Sequence, residues 1–278
     1  MCSQNCCGKC RQGMKTIRCN EDIILHEGLN EIVIDAIRHL HLTFTAHIDC
    51  EVFVRIVACR SLKIDTFTEA GKHVSFLFWN ETAAHLDVEE HHEVLADGDL
   101  SVAYGEVNDA SMKRHVQVAL RQQGANALVS SASLVRENKE YVMEVINFAP
   151  HTTGNMKNFA VMMKGGHLNI DAVGKIVKGA HGSQSHQTSR ALSFEEDQHA
   201  TIVPELLIDE DDVQASHAMS MGSVDPDHLY YMQTRGLTMS QCISLISTGY
   251  LLPIADTIKD ETLREKLREQ LEKEMAAL

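Results

Sequence analysis

Aromatic residues are scarce in this 278-residue chain, at 5% with a single tryptophan, Trp79. Sugar-processing clefts on β-rich folds need carboxylate pairs and aromatic platforms, so the scarcity argues against a polysaccharide lyase or hydrolase. Basic residues are few as well: 25 Lys and Arg stand against 39 Asp and Glu, a formal charge of -14. That field repels a phosphate backbone, so nucleic acid is not an expected partner. No apolar run approaches the ~20 residues that span a bilayer. The opening MCSQNCCGKCRQGMK has no apolar core and does not read as a secretory signal. A cytoplasmic protein without a membrane partner is the expectation. Also missing are a Walker-type phosphate loop, a nucleophile elbow and the paired histidines of a zinc protease, so the chain is not expected to hydrolyse ATP or to be an enzyme.

What is present is thiol and imidazole: eight cysteines and sixteen histidines. Without an export signal the cysteines read as thiols rather than disulfides. Cys2, Cys6, Cys7 and Cys10 form a C-x-x-x-C-C-x-x-C cluster, which can hold an iron–sulfur cluster, zinc or copper, or can remain an oxidisable tail without a fixed ligand set. Cys50 shares the parity of Ile48, Val52, Val54 and Ile56 and is expected to be a buried small hydrophobe. Cys59 has the opposite parity and is expected to be exposed. Cys242 is expected to pack inside a helix. His85, His91 and His92 lie among Asp87, Glu89 and Glu90, read as the solvated face of a turn or, alternatively, as a hard-metal patch.

Period-2 alternation dominates from about residue 22 to 215, as in Val116, Val118 and Leu120 or Leu168 and Ile170. Turn signals recur at Asp97-Gly98, Gly124, Gly165-Gly166 and Gly182-Ser183. Acidic turns about 14 residues apart are compatible with successive solenoid turns. The pattern then changes. Asp225-Pro226 reads as an N-cap opening a helix that ends near Gly236. Thr238 and Gln241 make a capping box for a second helix, stopping near Gly249. Leu263, Leu267, Leu271 and Met275 form the apolar stripe of a third, which Glu269 and Lys273 support on its polar side. Three regions follow: 1–20, a Cys-rich flexible tail; 21–224, a β-rich body; and 225–278, a helical module.

Two blocks carry a resemblance: GKIVKGAHGSQSHQTSRAL at 174–192 and ATIVPELLIDEDDVQASHAMSMGSVDPDHLYYMQTRGL at 200–237. Pro204, Leu206, Ile208, Asp211, Asp212, Val213, Ser216, His217, Gly222, Val224, Asp225, Leu229, Tyr230, Tyr231, Arg235, Gly236 and Leu237 fall in the order and spacing of the C-terminal signature of the SufB/SufD scaffolds. The chain therefore resembles that family of the SUF iron–sulfur cluster assembly system, in a compact form without the long N-terminal helical region of many members.

The resemblance implies a mainly β fold, a right-handed parallel β-helix with a small C-terminal helical module that would cover the end of the solenoid. It implies a scaffold that supports a transient iron–sulfur cluster at a subunit interface, formed with a second copy or a related scaffold chain. His217 matches the histidine at that interface; an ordinary interface histidine satisfied by a hydrogen bond is the alternative. The cysteine of SufB-type members is replaced here by Gln187-Thr188-Ser189, which points to the SufD side. The helical module would bind a SufC-like ABC ATPase through Tyr230, Tyr231, Arg235, Met239, Ile243 and Ile246, and cutting after Val224 is expected to remove that binding while leaving the body soluble. Sulfur donor proteins are a further implied partner class. A flavin occurs in some family complexes, but no nucleotide-binding fingerprint supports it here. The competing reading is a Cys-rich metal or iron–sulfur carrier on a β-solenoid.

Overall fold

The computed structural model describes residues 14–194, 197–257 and 261–276. Short alternating segments become strands in unbroken succession. The first are β1 (Lys15–Ile17), β2 (Glu21–Ile24), β3 (Gly28–Asp35), β4 (His39–Ala46), β5 (Cys50–Ala58) and β6 (Ser61–Thr68). Next come β7 (His73–Asn80), β8 (Leu86–Val94), β9 (Asp99–Glu106), β10 (Met112–Leu120), β11 (Asn126–Val135) and β12 (Asn138–Asn147). The last are β13 (Thr153–Met162), β14 (His167–Ile176), β15 (Ser183–Ser193), β16 (His199–Ile208) and β17 (Val213–Ser223). Odd-numbered strands form a nine-stranded sheet and even-numbered strands an eight-stranded one. Every pairing is parallel, each coil giving one strand to each sheet, so the fold is a parallel β-helix. Coil length grows along the axis: Gly28 pairs with Cys50, Asn126 with Thr153, and Ser183 with Val213. The 14-residue spacing of acidic turns thus marks half a coil, one strand, rather than a full turn.

Inward positions of successive coils stack into columns, which is why the alternation had to be strict. Phe44 meets Phe76 edge-on across the lumen at 5.5 Å, and Phe76, Phe78 and Tyr104 stack with centroids 5.7 Å apart. Such pairs add about 0.5–1.5 kcal/mol beyond their area.

The helices are α1 (Pro226–Thr234), α2 (Met239–Leu251) and α3 (Glu261–Ala276), with a 3-10 segment Leu252–Thr257. Asp225 accepts from the Asp227 N–H, and Thr238 with Gln241 forms the expected capping box. The apolar stripe of α3 is fully buried, but not on the end of the solenoid. Leu263, Leu267, Leu271 and Met275 lie on the outer face of the nine-stranded sheet, against Phe53, Leu77, Trp79, Ala103, Ala132, Leu134, Phe159 and Val161. Burying each such side chain is worth about 1.5–3 kcal/mol. Lys266 pairs with Glu31 and sits 5.5 Å over the Phe53 ring. The packing is close: a Cβ on Gly105 would fall 2.1 Å from the Trp79 ring. One expectation changes as a result: the module covers the flank of the β-helix and leaves its C-terminal end open. Cutting after Val224 would bare Phe53, Leu77 and Trp79 on that flank.

Candidate functional site

The last coil is built like the others but has no neighbour beyond it. Among the described residues β17 is hydrogen-bonded to β15 alone, so its other backbone edge has no partner strand there. Register partners in a parallel ladder share a face. His217 pairs with Gln187, Met219 with Ser189 and Met221 with Ala191. His217 therefore continues the inward column Val102, Val129, Met156, Gln187. Across the lumen, Pro204, Leu206 and Ile208 continue Ala172, Gly174 and Ile176. The signature residues are thus the lumen residues of a coil left open. Every residue from Gln214 to Ser223 is exposed, and Met219, Met221 and Leu207 are 45–50% accessible.

Beneath this opening the lumen turns polar. Ser183, Ser185, Gln187 and Ser189 are buried on β15. Gln187 Nε2 donates to the Glu205 carbonyl at 2.9 Å, while Gln187 Oε1 and Ser185 Oγ are buried without a hydrogen-bond partner among the described residues. Thr68 Oγ1, Arg114 Nε and Asn147 Oδ1 in the closed coils are in the same state. Asn158 donates to Ser189 Oγ at 3.3 Å. Among the described residues no three His, Cys, Asp or Glu side chains converge to hold a metal. His217 therefore belongs to no such group.

The helical candidates form a separate surface. No residue of α1 is buried, and Tyr230 and Tyr231 are 69% and 58% accessible. The Arg235 guanidinium lies 5.0 Å over the Tyr231 ring and donates to its hydroxyl at 3.0 Å. On α2, Met239 is exposed while Ile243 and Ile246 are half-buried. Leu245, absent from the sequence-based set, is 60% accessible and extends the patch. Cys2, Cys6, Cys7 and Cys10 lie outside the described residues.

Cys242 and Cys50 are buried, and burial with the charges of Glu51 and Asp49 pushes the Cys50 thiol up to about 12. Cys59 is buried, not exposed: it follows the end of β5, where strand parity no longer applies, and its Sγ donates to the Arg38 and Ser61 carbonyls. His91 and His92 lie on β8 rather than on a turn. Parity sends Asp87, Glu89 and His91 outward and Glu90 and His92 into the lumen, which dissolves the proposed metal patch.

The sequence-based reading missed a charged cluster in the central coils. Arg114 bonds to Glu90 and, at 2.6 Å, to Glu106, and its guanidinium lies 4.1 Å over the Tyr104 ring. Glu90 also accepts from Tyr104 at 2.9 Å and from His92 at 3.1 Å, and His92 Nδ1 pairs with the Thr66 hydroxyl at 2.7 Å. Asn80 donates to Glu106 at 2.7 Å. All are buried. Burial would raise the Glu90 carboxyl, but the Arg114 charge and the His92 hydrogen bond hold it below the usual carboxylate range. Lys139, beside Asn108, is pushed down to about 8 by burial. The available signal was a charge at apolar parity: Glu90 between Val88 and Val94, and Arg114 between Met112 and Val116.

Comparisons with known proteins agree on one family. A family model described as the SUF system FeS cluster assembly SufBD core domain matches residues 68–250. The iron–sulfur cluster assembly protein SufD of Bacillus subtilis is 32% identical over 139 residues, 50% of this chain and 32% of that protein. An iron–sulfur cluster assembly SufBD family protein of Mycobacterium tuberculosis is 30% identical over 118 residues, 42% of this chain and 14% of its own length. SufB of Bacillus subtilis is 18% identical over 159 residues, 56% of this chain and 34% of that protein. In each case the chain spans well under half of the relative's length.

Proposed function

This chain belongs to the SufBD core family of the SUF iron–sulfur cluster assembly system, and from that premise we propose that it is a non-catalytic scaffold subunit, supporting a nascent cluster where its open coil meets a second scaffold chain. The observation that supports the reading is an inward-facing imidazole, His217, on an unpaired strand edge. A second chain, either another copy or a related scaffold, would pair with that edge through its backbone and cover Met219 and Met221. Imidazole suits iron, and the partner would complete the ligand set. The cluster is cargo, built and passed on. The tail thiols Cys2, Cys6, Cys7 and Cys10 are further candidate groups for the same cargo.

Motion is supplied by a second partner in this proposal. An ABC-type ATPase docks on the aromatic patch of α1 and α2, with Tyr230, Tyr231 and Arg235 as its anchors and Met239, Leu245, Ile243 and Ile246 beside them. Exposed aromatic and Arg side chains are the composition of interface cores.

His217→Ala is the test. The variant is expected to fold as the parent does and to impair cluster assembly in cells that depend on it. Normal assembly would remove His217 from the mechanism. In an anaerobic pull-down of the full chain, Tyr230→Asp with Tyr231→Asp is expected to lose the ATPase. Unchanged recovery would move the docking surface elsewhere.

A further inference from the structure

We propose that His167 and His199 form a binding site for a borderline divalent metal ion, such as zinc, nickel or cobalt, that clamps adjacent coils near the open end of the β-helix. The two residues open β14 and β16 and are register partners on the outer face of the eight-stranded sheet. Parallel neighbours stand about 4.8 Å apart, a span that one ion can bridge with two imidazoles. Here the rings are 5.9 Å apart between centroids and inclined at 70°. His167 Nδ1 donates to the Gly165 carbonyl at 3.0 Å, which leaves Nε2 as the lone-pair nitrogen. A histidine ligand oriented by a carbonyl on its far nitrogen is the usual outer-shell arrangement of metal sites.

Room and further donors are present. Both rings line a cavity of about 260 Å³ with Asn138, Asn169 and Thr201. Asn138 continues the same ladder through its pairing with His167 and donates its amide nitrogen to Glu140 at 2.9 Å, leaving its carbonyl oxygen available. Two imidazoles with an amide oxygen and water suit a borderline ion better than a hard or a soft one.

A second histidine pair makes the contrast. His151 and His181 also meet edge-on, at 5.2 Å. The His151 ring lies so close to Gly182 that an added Cβ would fall 2.3 Å from Nδ1. That ring packs on backbone, whereas the His167 and His199 rings face open space. An ion bound to both coils stabilises only the folded state, so it would tighten the last coil, the one with the least cover.

The test is titration of the reduced full-length chain with Co²⁺, followed by imidazole side-chain NMR and by visible absorption. At one equivalent the His167 and His199 signals should change together, without a thiolate-to-cobalt absorption band. His167→Ala and His199→Ala, both at exposed positions, should each weaken this binding about tenfold or more. Hydrogen exchange of the β16 amides should slow with Co²⁺ in the parent and not in either variant. Undiminished binding in both variants, binding only to thiolates, or no binding would each overturn the proposal. It does not rest on His217, whose substitution should leave Co²⁺ affinity unchanged.

Discussion

The central coils and the last coil obey the same geometry and end in opposite states. Around β8 to β12 each strand has a neighbour on both sides, and the lumen closes so completely that Arg114, Glu90 and Glu106 lose all contact with water. At β17 one neighbour is missing, and the same inward parity leaves His217, Met219 and Met221 in the open. Polar groups therefore sit in different surroundings in the two places. In the central coils Arg114, Glu90, Glu106, Tyr104 and His92 bond to one another out of reach of water. At the end the His217 imidazole stands exposed beside its register partner Gln187.

Substitutions sharpen the contrast. Arg114→Met would leave two carboxylates buried without a counter-charge and should cost about 3–5 kcal/mol in denaturant unfolding. A neutral result would mean that water reaches the central lumen. Leu267→Ala, under α3, should cost about 2–5 kcal/mol by the same measurement, because the rigid sheet cannot collapse into the space. A loss below 1 kcal/mol would mean that α3 is only loosely attached.

Lys139 gives a pH signature. Its folded-state value of about 8 lies below the ordinary 10.5, so the unfolded chain binds the extra proton between them and stability should rise with pH. Buried Tyr104 and Tyr141 keep their protons above the ordinary value of 10.0, so stability should fall once pH passes that value. The buried thiols of Cys50 and Cys59, raised from the ordinary 9.0, act in the opposite direction from about pH 9, because the unfolded chain gives up their protons first. The Lys139 effect is therefore read as a difference: between pH 8 and 10 the parent should gain about 2 kcal/mol relative to Lys139→Met. Parallel pH profiles of the two proteins would assign the effect to another group. The smallest effect belongs to the open coil, where His217→Ala should change stability by less than about 0.5 kcal/mol. A larger loss would show that the imidazole already has a structural task within one chain.

Local chemistry was legible in the sequence. The parity of Val52, Val54 and Ile56, the cap at Asp225, the capping box at Thr238 and the stripe of α3 all appear as the pattern predicts. His217 was singled out through its motif, and register explains its setting: it carries the inward parity of a coil with one side uncovered. The direction in which α3 turns back was not legible, since that depends on contacts between residues some 200 positions apart. The lumen charges escaped notice because a charged residue is read as solvated unless its partners are known, and Glu90, Glu106 and Arg114 come from three different strands.

The return of α3 also sets an order of events during synthesis. Lys266 pairs with Glu31, 235 residues earlier in the chain. At ribosomal speeds of about 5–20 residues per second, on the order of 10 to 50 seconds separate the two. The first coils can stack as they emerge, each templating the next. Phe53, Leu77 and Trp79 nevertheless stay uncovered by α3 until that helix leaves the ribosome. A nascent chain thus presents an oily flank throughout that interval.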